Sequence, residues 1–178
     1  MKHIKKLAFL MIVALAMASC NLLNVDVDTE FTGILDIEVE EGMKKGTLET
    51  LHPFSAETTL NPRNDEVEPY VDNINSVEVG TITAKVNYVS EENVVVKKGA
   101  KFTVSGIVDT EWILAEDWPI ITDDVRVIED QDGFYGDVSK ILGEIKDFDI
   151  KLEGKSTQSG VFIKLEFSID AVVKGSVF

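Results

Sequence analysis

Side chains that could do chemistry are unevenly represented in this sequence. The 178 residues include 32 Asp and Glu and 17 Lys and Arg, but two histidines and one cysteine. After residue 20 a serine-hydrolase triad would have to use His52, which stands beside Pro53 in a predicted edge strand. One histidine without a cysteine cannot supply the N and S ligands of a zinc shell. These residue types predict a protein that is not an enzyme.

Carboxylates make calcium the metal to consider. Six acidic residues lie within fifteen positions, namely Asp123, Asp124, Glu129, Asp130, Asp132 and Asp137. The EF-hand pattern is not met, because aligning its glycine with Gly133 puts Ile128 at the first ligand position and Ser139 at the last. A looser calcium loop remains an alternative to a plain acidic turn, with candidate ligands Asp123, Asp124, Asp130 and Asp132. No other cofactor is predicted.

Two tryptophans, Trp112 and Trp118, flank five residues in the least regular part of the sequence. Exposed aromatic rings can stack on sugars or anchor a protein partner, so both are candidate contact residues. The alternative is that they belong to the core or rim of a β-sandwich.

The N-terminal residues carry the most specific motif of the chain. Basic residues at positions 2–6 precede an apolar run at 7–18, which is too short for a transmembrane helix. Met17-Ala18-Ser19-Cys20 resembles the lipobox of bacterial lipoproteins, although the family usually has Leu where Met17 stands. The resemblance implies cleavage before Cys20 and a diacylglycerol on its sulfur. An ordinary signal peptide that contains a cysteine is the alternative.

The resemblance divides the chain into a signal peptide, residues 1–19, and one domain, residues 20–178, anchored through Cys20. Removing the first segment takes away three lysines and no acids, which moves the net charge from −15 to −18. Such acidity argues against nucleic acid as a partner and against adsorption to anionic lipid, so acyl chains would provide the membrane attachment. Asn21, which stands where some lipoproteins have Asp, implies the outer membrane by the same resemblance.

The chain also resembles the small β-rich lipoproteins of Bacteroidota. Fimbrillin-type pilus subunits are lipoprotein precursors with β-sandwich domains, and they mature by a cut after an arginine near the end of a leading strand. The candidate here, Arg63, follows a second strand instead. A pilus or adhesin subunit is therefore an alternative function.

Apolar periodicity predicts long strands. Residues 23–39 and 161–173 alternate apolar and polar side chains, as in a strand with one buried face. We expect the first to bend or bulge at Gly33, where it would pass between sheets. Strands are also predicted at 47–60 and at 77–88, the latter with a bulge at Gly80-Thr81 where the apolar phase flips. Short helices are predicted at 64–74 and at 137–146, the second capped by Asp137.

Many alternating segments with few helices predict a mainly β protein. The expected fold is a two-sheet antiparallel β-sandwich, Ig-like in general architecture, with two short helices. A closed barrel with a ligand cavity is the competing fold. The predicted function is a non-catalytic cell-envelope module that binds a protein or glycan partner or has a structural role. The alternatives are a carrier or sensor of an apolar ligand, which needs a cavity of roughly 300 Å³, and the pilus or adhesin subunit.

Overall fold

The computed structural model describes residues 24–41 and 51–176. Cys20 lies outside the described residues, as does the beginning of the strand predicted at 47–60. The elements, in chain order, are β1 (Asn24–Val39), β2 (His52–Leu60), a 3-10 helix (Glu68–Asn73), β3 (Ile74–Val89), β4 (Val95–Val96), β5 (Lys101–Ser105), β6 (Asp109–Ile113), β7 (Trp118–Pro119), β8 (Val125–Ile128), α1 (Phe134–Gly143), β9 (Phe148–Ser156) and β10 (Val161–Ser176).

Two antiparallel sheets form the fold, which confirms the predicted β-sandwich. The first sheet has the order β1-β10-β3-β8. In the second, β9 lies between β2 on one side and β5 and β4 on the other, with β6 and β7 paired to β5 and β4. Phe102 of β5 stacks on Phe167 of β10, with ring centroids 4.3 Å apart, so the sheets meet through aromatic side chains.

The first strand keeps its pairing through the glycine at which a bend or bulge was predicted. β1 pairs with β10 without a register shift from Asn24 opposite Ser176 to Val39 opposite Val161, and Gly33 lies opposite Phe167. The predicted bulge and the predicted change of sheet are therefore wrong. Gly33 is instead a point of close approach, because a Cβ there would lie 3.1 Å from the side chain of Leu60 in the other sheet.

The bulge predicted in the third strand is confirmed. Opposite β10, the register of β3 moves from Thr81–Asp170 to Val79–Ala171, which leaves Gly80 as the extra residue. The apolar side chains on both sides of the bulge therefore return to the buried face.

Both helices are present, but they differ from the prediction in extent. The first is a single 3-10 segment, Glu68–Asn73, with Pro69 in its first turn. The second, α1, begins at Phe134, so Asp137 is not its cap. The carboxylate of Asp130 accepts a hydrogen bond from the Tyr135 backbone N–H at 2.9 Å, while Asp137 pairs with Lys140 at 2.8 Å. The residue before α1 is Gly133, whose φ of 84° lies in the left-handed region that glycine adopts readily.

Candidate functional site

The edge of the first sheet at β8 combines exposed apolar side chains with a strand edge that no other strand within residues 24–41 and 51–176 pairs with. β8 pairs with β3, with Lys85 opposite Val125 and Ile82 opposite Ile128, and it ends the order of this sheet. Val125 is 54% exposed and Val127 53%, although valine is a residue type that folded proteins usually bury. Ile121, just before the strand, is 63% exposed.

In β8 the arginine faces the interior and the two valines face solvent, which is the opposite of what these residue types usually do. Arg126, opposite Ala84, faces the space between the sheets, where its guanidinium lies 5.7 Å from the centre of the Trp118 ring. Its Nη2 also donates to Glu116 at 3.1 Å. Because alternate residues of a strand face opposite sides, placing Arg126 inward turns Val125 and Val127 outward.

A tyrosine hydroxyl from α1 closes the last rung between β3 and β8. The Ile82 backbone N–H donates to Tyr135 Oη at 3.3 Å, and that hydroxyl donates to the Ile128 carbonyl at 2.6 Å. The hydroxyl thereby fixes the end of β8 against the sheet.

Four exposed carboxylates flank β8, two before it and two after it, and are called here the acidic frame: Asp123, Asp124, Glu129 and Asp130. Asp123 lies 3.9 Å from Lys85, but its side chain is 82% exposed, so this pair neutralises it weakly. Asp124 accepts a hydrogen bond from the Trp118 indole at 3.1 Å.

The four predicted calcium ligands are not gathered into a site. Asp124 and Asp130 accept hydrogen bonds from Trp118 and from the first turn of α1, and Asp132 lies in the turn before that helix. Among residues 24–41 and 51–176, no three His, Cys, Asp or Glu side chains are grouped so as to hold a metal ion.

The two tryptophans belong to the core, which was the alternative to an exposed contact surface. Trp112 is 7% exposed and Trp118 6%, and their rings line the interior beside Phe102 and Phe167. Residues of the irregular segment pair as β6 and β7, which brings both indoles over the core. Trp112 Nε1 is buried and has no hydrogen-bond partner within the described part of the chain.

The core is filled. The apolar cavity that the tryptophans line has a volume of about 20 Å³, far below the 300 Å³ or more that a ligand pocket requires. An open groove of about 800 Å³ lies on the surface, and acidic side chains surround it: Asp28, Glu30, Asp65, Glu66 and Asp170. It is a concave part of the solvated face rather than an enclosed pocket.

Ion pairs shift a few of the exposed ionisable groups. Asp117 accepts hydrogen bonds from the Lys97 ammonium and from the Lys98 backbone N–H, which hold the pKa of this carboxyl below its ordinary value. Glu78, 2.6 Å from Lys174, raises the pKa of that amine. These groups lie at separate places on the surface and do not form an acid–base pair.

No family model matches this sequence, and neither a curated protein nor a solved structure matches it. Within the described residues, no helix is both long enough and apolar enough to cross a membrane.

Sequence reasoning missed the β8 edge. The run Val-Arg-Val-Ile at 125–128 does not by itself indicate which of its residues face the core. The signal that was present is a short β-branched run between two acidic pairs. Val and Ile favour strands, whereas charges at both ends mark the limits of an exposed one.

Proposed function

We propose that this chain is a non-catalytic cell-envelope lipoprotein whose β-sandwich presents a binding or structural surface close to a membrane. The observation that carries the proposal is the short distance along the chain between Cys20 and the first strand. β1 begins at Asn24, and four residues span at most about 14 Å. A domain attached through Cys20 is therefore held beside the lipid headgroups, in the outer membrane according to Asn21.

The filled core supports a surface function over an apolar-ligand carrier. A cavity of about 20 Å³ has room for roughly one water molecule. The burial of Trp112 and Trp118 also removes the stacking surface that suggested a glycan at these residues. A protein partner is thus favoured, bound through side chains and backbone that remain exposed.

The anchor is tested by expressing the full chain in a bacterium that processes lipoproteins, with an alkyne fatty acid in the medium. We expect label on the wild-type protein and none on Cys20→Ser. The matched control, Met17→Leu, restores the residue that is usual in the lipobox and should be labelled at least as well. An unlabelled wild-type protein whose mature N-terminus, by mass spectrometry, is not Cys20 would show an ordinary signal peptide and refute the proposal.

A further inference from the structure

We propose that the free edge of β8 binds an extended segment of another protein, which adds a fifth strand to the first sheet. The segment would carry apolar residues at alternate positions and Lys or Arg at both ends. This inference rests on the proposed binding function and names its site and the chemistry of its partner.

The alternation of hydrogen-bonded and non-bonded residue pairs between β3 and β8 shows which backbone groups of β8 are available to a further strand. The Val86 N–H donates to the Asp124 carbonyl at 2.9 Å and the Val86 carbonyl accepts from the Asp123 N–H at 2.7 Å, so Val86 forms a hydrogen-bonded pair with the bulge at Asp123 and Asp124. In an antiparallel ladder such pairs alternate with non-bonded ones. Along the register between β3 and β8, Arg126 and Ile128 therefore turn their backbone groups toward β3. The N–H and C=O groups of Val125 and Val127 point the other way, toward an incoming strand.

The outward side chains supply the apolar part of the contact. Val125 and Val127 lie on the solvent face of the sheet, and both are more than half exposed. A strand paired along their backbone would place its own alternate side chains beside them at about 4.5–5.5 Å between Cβ atoms. Main-chain hydrogen bonds would then provide affinity, while the apolar pairs provide specificity.

The acidic frame selects the partner. Antiparallel pairing of two copies through their outward-facing residues can be centred on Arg126, which puts Asp123 of one copy opposite Glu129 of the other, or on Val127, which puts Asp124 opposite Asp130. Like charges directly opposite each other destabilise a strand pair, so a second copy is disfavoured. A segment with basic residues at both ends would instead meet opposite charges at both ends of β8.

The test uses the purified full chain in a neutral detergent and the fluorescein-labelled peptide Lys-Lys-Val-Thr-Val-Thr-Val-Lys-Lys, followed by fluorescence anisotropy. Two control peptides replace either the central Val by Pro, which removes a backbone donor, or all four Lys by Glu. We expect the first peptide to bind at least about tenfold more tightly than either control, and its affinity to fall as salt is added.

Protein variants locate the binding. Val127→Pro removes an N–H that faces away from β3, so the ladder of the protein itself stays intact, and the peptide affinity should fall about tenfold or more. The matched control Val127→Thr keeps the N–H and the β-branched shape and should bind within about threefold of wild type. Asp123→Asn combined with Glu129→Lys should lower the affinity for the peptide with Lys at its ends and raise the affinity for the peptide with Glu at its ends. Thermal unfolding verifies that each variant is folded.

Three results would overturn the inference. One is that the Pro-containing peptide binds as tightly as the parent, and another is that folded Val127→Pro binds as wild type does. The third is concentration-dependent dimerisation of the wild type that Val127→Pro abolishes, since β8 would then bind a second copy. None of these results depends on lipid attachment, so labelling of Cys20 reports separately on the proposed function.

Discussion

Replacing Tyr135 by Phe tests whether α1 holds the end of β8 in place. The hydroxyl accepts a hydrogen bond from the Ile82 N–H at 3.3 Å and donates one to the Ile128 carbonyl at 2.6 Å. A net hydrogen bond contributes about 0.5–1.5 kcal/mol to stability, so losing two should lower the free energy of unfolding by about 1–3 kcal/mol. Ile82 and Ile128 are both buried, so water cannot readily replace the hydroxyl.

The assay for Tyr135→Phe is urea unfolding of the full chain, followed by tryptophan fluorescence. With an m-value of about 2 kcal/mol/M, the midpoint should fall by about 0.5–1.5 M without a change in m. The matched control is Tyr88→Phe, which changes an exposed tyrosine on β3 whose hydroxyl makes no hydrogen bond among the described residues. If both variants unfold within about 0.3 kcal/mol of wild type, the hydroxyl does not fasten β8, and the argument is refuted.

Two further predictions concern packing and charge. Gly154→Ala places a Cβ 2.8 Å from the Phe54 ring and should cost about 1–3 kcal/mol in urea unfolding, whereas Gly136→Ala, in open space on α1, should not destabilise the fold. By NMR titration the Asp117 carboxyl should have a pKa below its ordinary value, and Lys97→Met should raise it. The pKa of Asp117 is lower in the folded state than in the unfolded state. The interactions of its carboxylate therefore stabilise the fold at neutral pH, and this stabilisation is lost as the pH falls through the folded pKa.

The long strands could be predicted because their signal is local. In β10 every second side chain is buried, and in β1 every second residue is buried or half-buried while those between are exposed, so the period of two in the sequence is the period of the structure. The same logic located the bulge at Gly80, where the phase changes within the strand itself. Gly33 does not shift the pairing between β1 and β10. Its role is to allow the close approach of Leu60 in the opposite sheet, which the surrounding sequence cannot indicate.

The candidate site could not be predicted, because the buried and exposed positions of β8 are the opposite of those that its residue types indicate. A local pattern assigns valines to the core and arginine to solvent, but Arg126 faces inward over Trp118 and pairs with Glu116. Both partners come from a segment whose regularity appears only when it pairs with β4 and β5. The start of α1 was misplaced for a related reason, since Asp130 reaches the helix from before the turn while Asp137 is held by Lys140.

The register between β1 and β10 has a consequence for how the chain reaches its folded state. β1 pairs with β10, which follows it by more than 100 residues, so their hydrogen bonds form only after the whole segment between the two strands has been synthesised. Until then, an unpaired strand bearing Phe31, Leu35 and Ile37 is free to associate with other chains. Contacts this distant in sequence slow folding. Newly made molecules therefore carry an unpaired and aggregation-prone β1 until β10 is available, and a holding chaperone would protect them during that interval.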